Sequence, residues 1–218
     1  MDVEIWSDIA CPWCYIGKRR FEAALEQFEH RDDVNVTWRS FELDPGAPHE
    51  RTGDRAERLA EKYGMTVEQA REAEQQLTGV AEGEGLPFRF DIARSGTTFD
   101  GHRLVHLAGT HGLQDEMKER LLRAYFIEGE LMSDHDSLVR LGAEVGLDEQ
   151  EVRELLAGDR YADEVRADER TAGELGISAV PTFVVDRKLG TSGAQPPDAL
   201  LELLRQGWAK RSPASALA

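Results

Sequence analysis

Cysteine is scarce in this chain, with only Cys11 and Cys14 among 218 residues. That excludes a small secreted scaffold stapled by several disulfides, and a lone close pair points instead to metal or redox chemistry. No apolar run approaches the ~18 residues needed to cross a bilayer, so no membrane partner is expected. Ser- or Gly-rich linkers, internal repeats and low-complexity blocks are missing. The 20 Gly and 8 Pro are scattered, which argues against flexibly tethered modules. The amino terminus lacks a positive n-region. Asp2 and Glu4 stand there, and Val3-Glu4-Ile5-Trp6-Ser7 reads as a strand, so an uncleaved cytoplasmic protein is expected. A basic stripe able to neutralise phosphates is also absent, which makes nucleic acid a poor partner.

Acid is what the chain has in excess. Asp and Glu total 42 against 26 Lys and Arg, a formal charge of −16, and only Lys18, Lys62, Lys118, Lys188 and Lys210 are lysines. The acids are interspersed through helical stretches, as in Asp148-Glu149-Gln150-Glu151, and do not form a tail. An acidic surface poor in lysine suits a protein that stays soluble in concentrated salt, where self-repulsion is screened. With 40% hydrophobic residues the chain can bury one substantial core, or a core domain plus a sizeable insertion.

Residues 3–8 read as a strand, and Cys11-Pro12-Trp13-Cys14 follows at once. Phe21, Leu25 and Phe28 recur at helical spacing, predicting a helix from about Pro12 to Glu29. Pro12 suits the first turn, where its missing N–H is no loss. Val34, Val36 and Trp38 then alternate with polar residues as a half-buried strand, closed by the turn Asp44-Pro45-Gly46. The middle of the chain is helical. Thr66 to Gln69 and Ser133 to Asp136 have capping-box spacing, Asp148 to Glu151 is a close relative, and Gly112, Gly146 and Gly176 fall where helices should stop. The β pattern returns at Thr182-Phe183-Val184-Val185, with a shorter strand near Leu189 to Ser192. Pro196-Pro197 then opens a last helix. A βαβ half and a ββα half, split by a helical insertion, fit this order.

Thiol–disulfide exchange needs a thiolate nucleophile and a second thiol near enough to resolve the mixed disulfide. Cys-x-x-Cys at the start of a helix supplies both, because unsatisfied N–H groups and the positive dipole end favour the thiolate. Cys11 is therefore read as the attacking thiol, with a pKa expected below the ~8.5 of a free cysteine. Cys14 is read as the resolving thiol. Pro12 and Trp13 set the turn and crowd the sulfur. A zinc half-site completed by His102 and His106 is the competing reading, but 87 residues separate Cys14 from His102, far from compact finger spacing. The three histidines His102, His106 and His111 are expected on one helix of the insertion. Val180-Pro181, directly ahead of the returning strand, is a candidate cis bond with a positional role. A cis bond there would turn the Val180 backbone outward, free to pair with an extended substrate.

The run Ser7-Asp8-Ile9-Ala10-Cys11-Pro12-Trp13-Cys14-Tyr15-Ile16-Gly17 resembles the active-site region of the DsbA-like thioredoxin-fold oxidoreductases, in particular their cytoplasmic FrnE-type branch. The likeness continues at Phe41-Glu42-Leu43-Asp44-Pro45, Arg123-Ala124-Tyr125-Phe126, Glu128-Gly129, Val180-Pro181-Thr182-Phe183 and Ser192-Gly193-Ala194-Gln195-Pro196. It implies an α/β thioredoxin fold with a large α-helical insertion domain. The boundaries read as 1–45 with 177–211 for the thioredoxin part, 46–176 for the insertion and 212–218 for a tail. It also implies a dithiol site at Cys11 and Cys14 faced by a cis Pro181, acting on protein or small-molecule thiols and disulfides without a bound cofactor or metal. Related 2-hydroxychromene-2-carboxylate isomerases and kappa-class glutathione transferases carry serine at the first cysteine position and bind glutathione. Keeping both cysteines favours dithiol exchange over those activities, and over a redox-inert zinc or structural module. Ala179 departs from the glycine more usual before Val-Pro.

The charge excess generates a prediction about folding. At ~0.01 M ionic strength the Debye length is ~30 Å and the 16 surplus negative charges repel one another, whereas at ~1 M it is ~3 Å. Thermal melts in KCl across that range are expected to rise, and a flat or falling midpoint would count against salt adaptation.

Overall fold

The computed structural model describes residues 1–211, so the segment 212–218, read above as a tail, lies outside the described residues. The chain forms two compact units. One joins Met1–Leu43 to the residues from Tyr161 on, and the other is Asp44–Arg160.

The first unit is built on a sheet in which β1 (Asp2–Ser7) is central. It pairs in parallel with β2 (Asn35–Ser40) through helix α1 (Pro12–Glu26), and antiparallel with the late strand β3 (Thr182–Val185). Strand β4 (Leu189–Ser192) completes the order β2-β1-β3-β4. Alternation along β1 sorts its side chains. Val3 and Ile5 face one way, in register with Trp38, Phe183 and Val185, and that face is covered by α1 and by α9 (Pro197–Ala209). The Phe21 ring of α1 stacks on Phe183 at 5.5 Å. Helix α9 approaches β3 closely at Gly207, where a Cβ would lie only 2.4 Å from Val185 Cγ1.

Glu4 and Trp6 face the other way. The Trp6 indole N–H donates to the Asp168 carbonyl at 3.0 Å. Asp168 sits on α8 (Ala162–Glu174), and its carboxylate accepts from the Ser40 backbone N–H at 2.9 Å and from Arg39 at 3.1 Å. These bonds dock α8 on β2, so α8 belongs with the sheet, although the boundary at residue 177 read from its helical pattern assigns it to the insertion.

The second unit is helical. Helices α2 (Arg55–Tyr63) and α3 (Val67–Gly83) form a hairpin packed around Ala56, Ala60 and Ala70. Helices α4 (Phe99–Thr110), α5 (Gln114–Arg123), α6 (His135–Glu144) and α7 (Glu149–Ala157) bury Leu104, Met117, Leu121, Leu138, Leu141 and Val152. A π turn at Ala124–Glu128 follows α5 directly. The capping box at Thr66 and Gln69 forms in both directions, and Asp148 caps α7. The cap expected at Ser133 falls one residue later. The Ser133 hydroxyl is taken by the His49 carbonyl, and the Asp134 carboxylate accepts the Ser137 N–H at 2.9 Å. No helix among the described residues is long and apolar enough to cross a membrane.

Candidate active site

After β1 the chain turns once. The Asp8 carboxylate accepts the Ala10 N–H at 3.2 Å, and the Cys11 N–H donates to the Asp8 carbonyl at 3.4 Å. Cys11 is the N-cap of α1, with Pro12 in the first turn and Cys14 one turn along, its N–H on the Cys11 carbonyl at 3.0 Å. Both cysteines are unbridged and buried, Cys11 at 4% exposure and Cys14 at 0%. They share an apolar cluster with Trp6, Ala172, Val180 and Val184, flanked by Phe41 and Ile177.

The structure brings together the residues singled out in the sequence. The Cys11 thiol donates to the Val180 carbonyl at 3.5 Å, and the Val180–Pro181 bond is cis. The Thr182 hydroxyl donates to the Ala179 carbonyl at 2.7 Å and the Gly193 N–H to the Pro181 carbonyl at 2.7 Å, which fixes the loop from both sides. Pro12 is half-buried, while Trp13 is 43% exposed beside the pair. Gly17, one turn beyond Cys14, faces Pro181, and a Cβ there would sit 2.8 Å from the proline Cγ. His102 and His106 lie on α4, but His111 is its C-cap and contacts Glu151 at 2.8 Å. Among the described residues no group of three or more His, Cys, Asp and Glu is placed to hold a metal ion.

Two buried carboxylates, one of them in the cysteine turn, escaped the sequence reading, although both lie in the stretches that carried the resemblance. Asp8 is buried and bridges the cysteine turn to the end of β2, its second oxygen accepting the Leu43 N–H at 2.8 Å. Glu42 is buried as well. One of its oxygens accepts from Arg166 at 2.6 Å, the same guanidinium reaches Glu169 at 2.7 Å, and Glu42 Oε1 has no hydrogen-bond partner among the described residues. Burial pushes the Glu42 carboxyl up to about 7, with the charges of Glu169 and Asp8 adding to it and Arg166 opposing it. A carboxylic acid three residues ahead of the first cysteine is visible in the sequence, but its burial is not.

Cys11 corrects an expectation. The helix N-terminus was expected to hold this thiol below the free-cysteine value, yet it is pushed well above it. The hydrogen bond shared with Cys14 is the main cause, followed by burial and the charges of Cys14 and Asp8, while the Cys14 backbone N–H works the other way. The neighbouring sulfur and carboxylate outweigh the dipole of the helix at this thiol.

The DSBA-like thioredoxin domain model matches residues 2–205, and the chain belongs to that family. The probable DsbA oxidoreductase of Streptomyces coelicolor is 49% identical, superposes with a TM-score of 0.93, and the match covers 98% of this chain and 92% of that one. YwbO of Bacillus subtilis (strain 168) is 29% identical over 188 residues, 84% of this chain and 86% of the relative. The cytosolic disulfide reductase DsbM from Pseudomonas aeruginosa shares the fold at 19% identity and a TM-score of 0.66, over 96% of this chain and 99% of that one.

Two measurements follow from these charges. Replacing Asp8 with Asn removes one cause that raises the Cys11 thiol, so the midpoint of its alkylation rate against pH should fall. Cys14→Ala should lower it further, and an unchanged or rising midpoint in both variants would contradict the charge assignment. Glu42 carries the opposite lesson for stability. Its folded-state pKa of about 7 lies above the unfolded value, so its contribution is fully present in acid and is lost as pH rises through neutrality. Glu42→Gln lacks that titration. Denaturant melts at pH 5 and pH 8 should therefore show the variant gaining on the wild type, with a ceiling of about 3 kcal/mol.

Proposed function

We propose that the chain is a thiol–disulfide oxidoreductase in which Cys11 attacks and Cys14 resolves. The observation that carries this reading is the placement of Cys11 at the N-cap of α1, one turn from Cys14 and against the Val180 carbonyl ahead of Pro181. In the reducing direction the Cys11 thiolate attacks one sulfur of a substrate disulfide and expels the other as a thiolate, which takes up a proton. Cys14 then gives up its proton and attacks the Cys11 sulfur. The second substrate thiol leaves, and Cys11 and Cys14 end as a disulfide. Two electrons pass to the substrate, and the reverse sequence oxidises it.

In this reading Val180 and Pro181 form the wall against which an extended substrate segment lies, with Pro12 and the exposed Trp13 on the opposite rim. Protein disulfides and small thiols are both admitted. Glutathione belongs among the latter, as DsbM from Pseudomonas aeruginosa has been solved with GSH. DsbM is described as cytosolic, and the same compartment is proposed for this chain.

The test is a pair of single-cysteine variants. Cys11→Ala should lose disulfide reduction by at least about a hundredfold, whereas Cys14→Ala should accumulate a mixed disulfide on Cys11 that reducing agent releases. Persistent activity in Cys11→Ala, or trapping on Cys14 in its place, would reverse the roles or sink the reading.

A further inference from the structure

The helical unit contains a cleft of about 800 Å³ that the redox reading does not use. Its size falls within the range of roughly 300–1,000 Å³ typical of small-molecule sites. One wall is apolar: Phe88 is buried, Phe90 is half-buried, and Ile92 is 39% exposed. This wall is held rigidly. The π turn frees the Phe126 carbonyl, which accepts the Arg89 N–H at 2.7 Å, and the Phe126 ring stacks on Phe88 at 4.7 Å. Near one end, two backbone bonds lock the segment before the cleft to the segment after it: Arg51 N–H to the Ser95 carbonyl at 2.7 Å and Thr97 N–H to the Pro48 carbonyl at 2.9 Å.

The remaining lining is charged. In a chain with 16 surplus acids, arginines match carboxylates here, five of each. Four arginines are committed to ion pairs: Arg51 to Asp44, Arg55 to Glu74 at 2.7 Å, Arg71 to Asp54 at 3.8 Å and Arg94 to Glu50 at 2.8 Å. Arg58 differs. Its half-buried guanidinium donates to the carbonyls of Thr52 at 3.0 Å and Gly53 at 2.7 Å and to the Ser95 hydroxyl at 3.3 Å, all neutral acceptors. The carboxylate whose charge it shares, Asp54, is occupied in capping α2 through the N–H groups of Ala56 and Glu57. The Arg55 guanidinium carbon meanwhile lies 4.7 Å from the centroid of the Phe90 ring, so a guanidinium and an aromatic ring already stand together.

We propose that this cleft binds a small amphipathic anion, its aromatic body against Phe90 and Ile92 and its carboxylate or phosphate on Arg58. A guanidinium held only by neutral acceptors gains more from an incoming anion than one already paired. A rigid apolar wall keeps the ordering cost of binding low. The proposal is independent of the dithiol chemistry and stands or falls separately from it.

The experiment is calorimetric titration of the full chain with phenyl phosphate and phenylacetate, which separate the two head groups. Inorganic phosphate, benzyl alcohol and benzylammonium serve as head, body and opposite-charge probes. At least one aromatic anion should bind with one-to-one stoichiometry and a Kd below about 1 mM, and head or body alone should bind at least about tenfold more weakly. Arg58→Gln should weaken binding by about tenfold or more, with Arg58→Lys recovering part of the loss, while the alkylation rate of Cys11 stays at its wild-type value. If Arg58→Gln fails to fold, Ile92→Glu on the exposed rim replaces it, with the same expected loss. The proposal is overturned by no heat from either aromatic anion at about 10 mM, by wild-type affinity in the folded variant, or by inorganic phosphate binding as tightly as phenyl phosphate.

Discussion

Helix α1 can lie against Pro181 only because residue 17 has no side chain. The cysteines sit on the first turn of that helix and Val180 precedes the proline, so this one close approach sets the distance from the Cys11 thiol to the Val180 carbonyl. Phe183, two residues on, stacks against Phe21 and carries the same contact into the core. Any side chain at position 17 must either push the helix off the loop or tilt its first turn, and interiors packed as tightly as this absorb such changes poorly. The apolar covering of β1 and β3 and the geometry of the thiols are thus parts of a single packing problem.

Electrostatics adds a second layer. Asp8 joins the cysteine turn to the end of β2, Glu42 stands next along that segment, and Arg166 of α8 balances Glu42 and Glu169 together. One guanidinium facing two carboxylates leaves a deficit of positive charge, and burial magnifies it. The result is a buried dithiol in acidic surroundings that hold protons on sulfur and on Glu42, against the pull of the helix N-terminus. The acidity of the chain therefore reaches its interior as well as its surface.

Much of this was legible in the sequence, for identifiable reasons. The strand, the Cys-x-x-Cys turn and α1 are local features, written within 25 residues by alternation, by a proline suited to a first turn and by helical spacing. Val180-Pro181 and both late strands are equally local. Helix caps were legible where side chain and backbone lie three residues apart, as at Thr66, and misplaced by one residue where a neighbour claimed the hydroxyl, as at Ser133. What stayed hidden depends on distant partners. The helical pattern of α8 says nothing of the Asp168 bonds that attach it to β2. Asp8 and Glu42 look like two more acids among 42 until the fold buries them. The Cys11 pKa failed for the same reason, since it is governed by groups around the helix more than by the helix itself.

The order of the strands in the sheet also has a consequence for synthesis. β1 lies between β2, which is made soon after it, and β3, which is separated from Cys14 by the whole helical unit. At the usual ribosomal rate of about 5–20 residues per second, both thiols are outside for roughly 10–30 s before Pro181 and β3 exist to cover them. During that interval Cys11 and Cys14 belong to a nascent chain with half a sheet, open to any oxidant or thiol nearby. A reducing environment at the ribosome would keep the pair intact until Pro181 and β3 arrive to close the site.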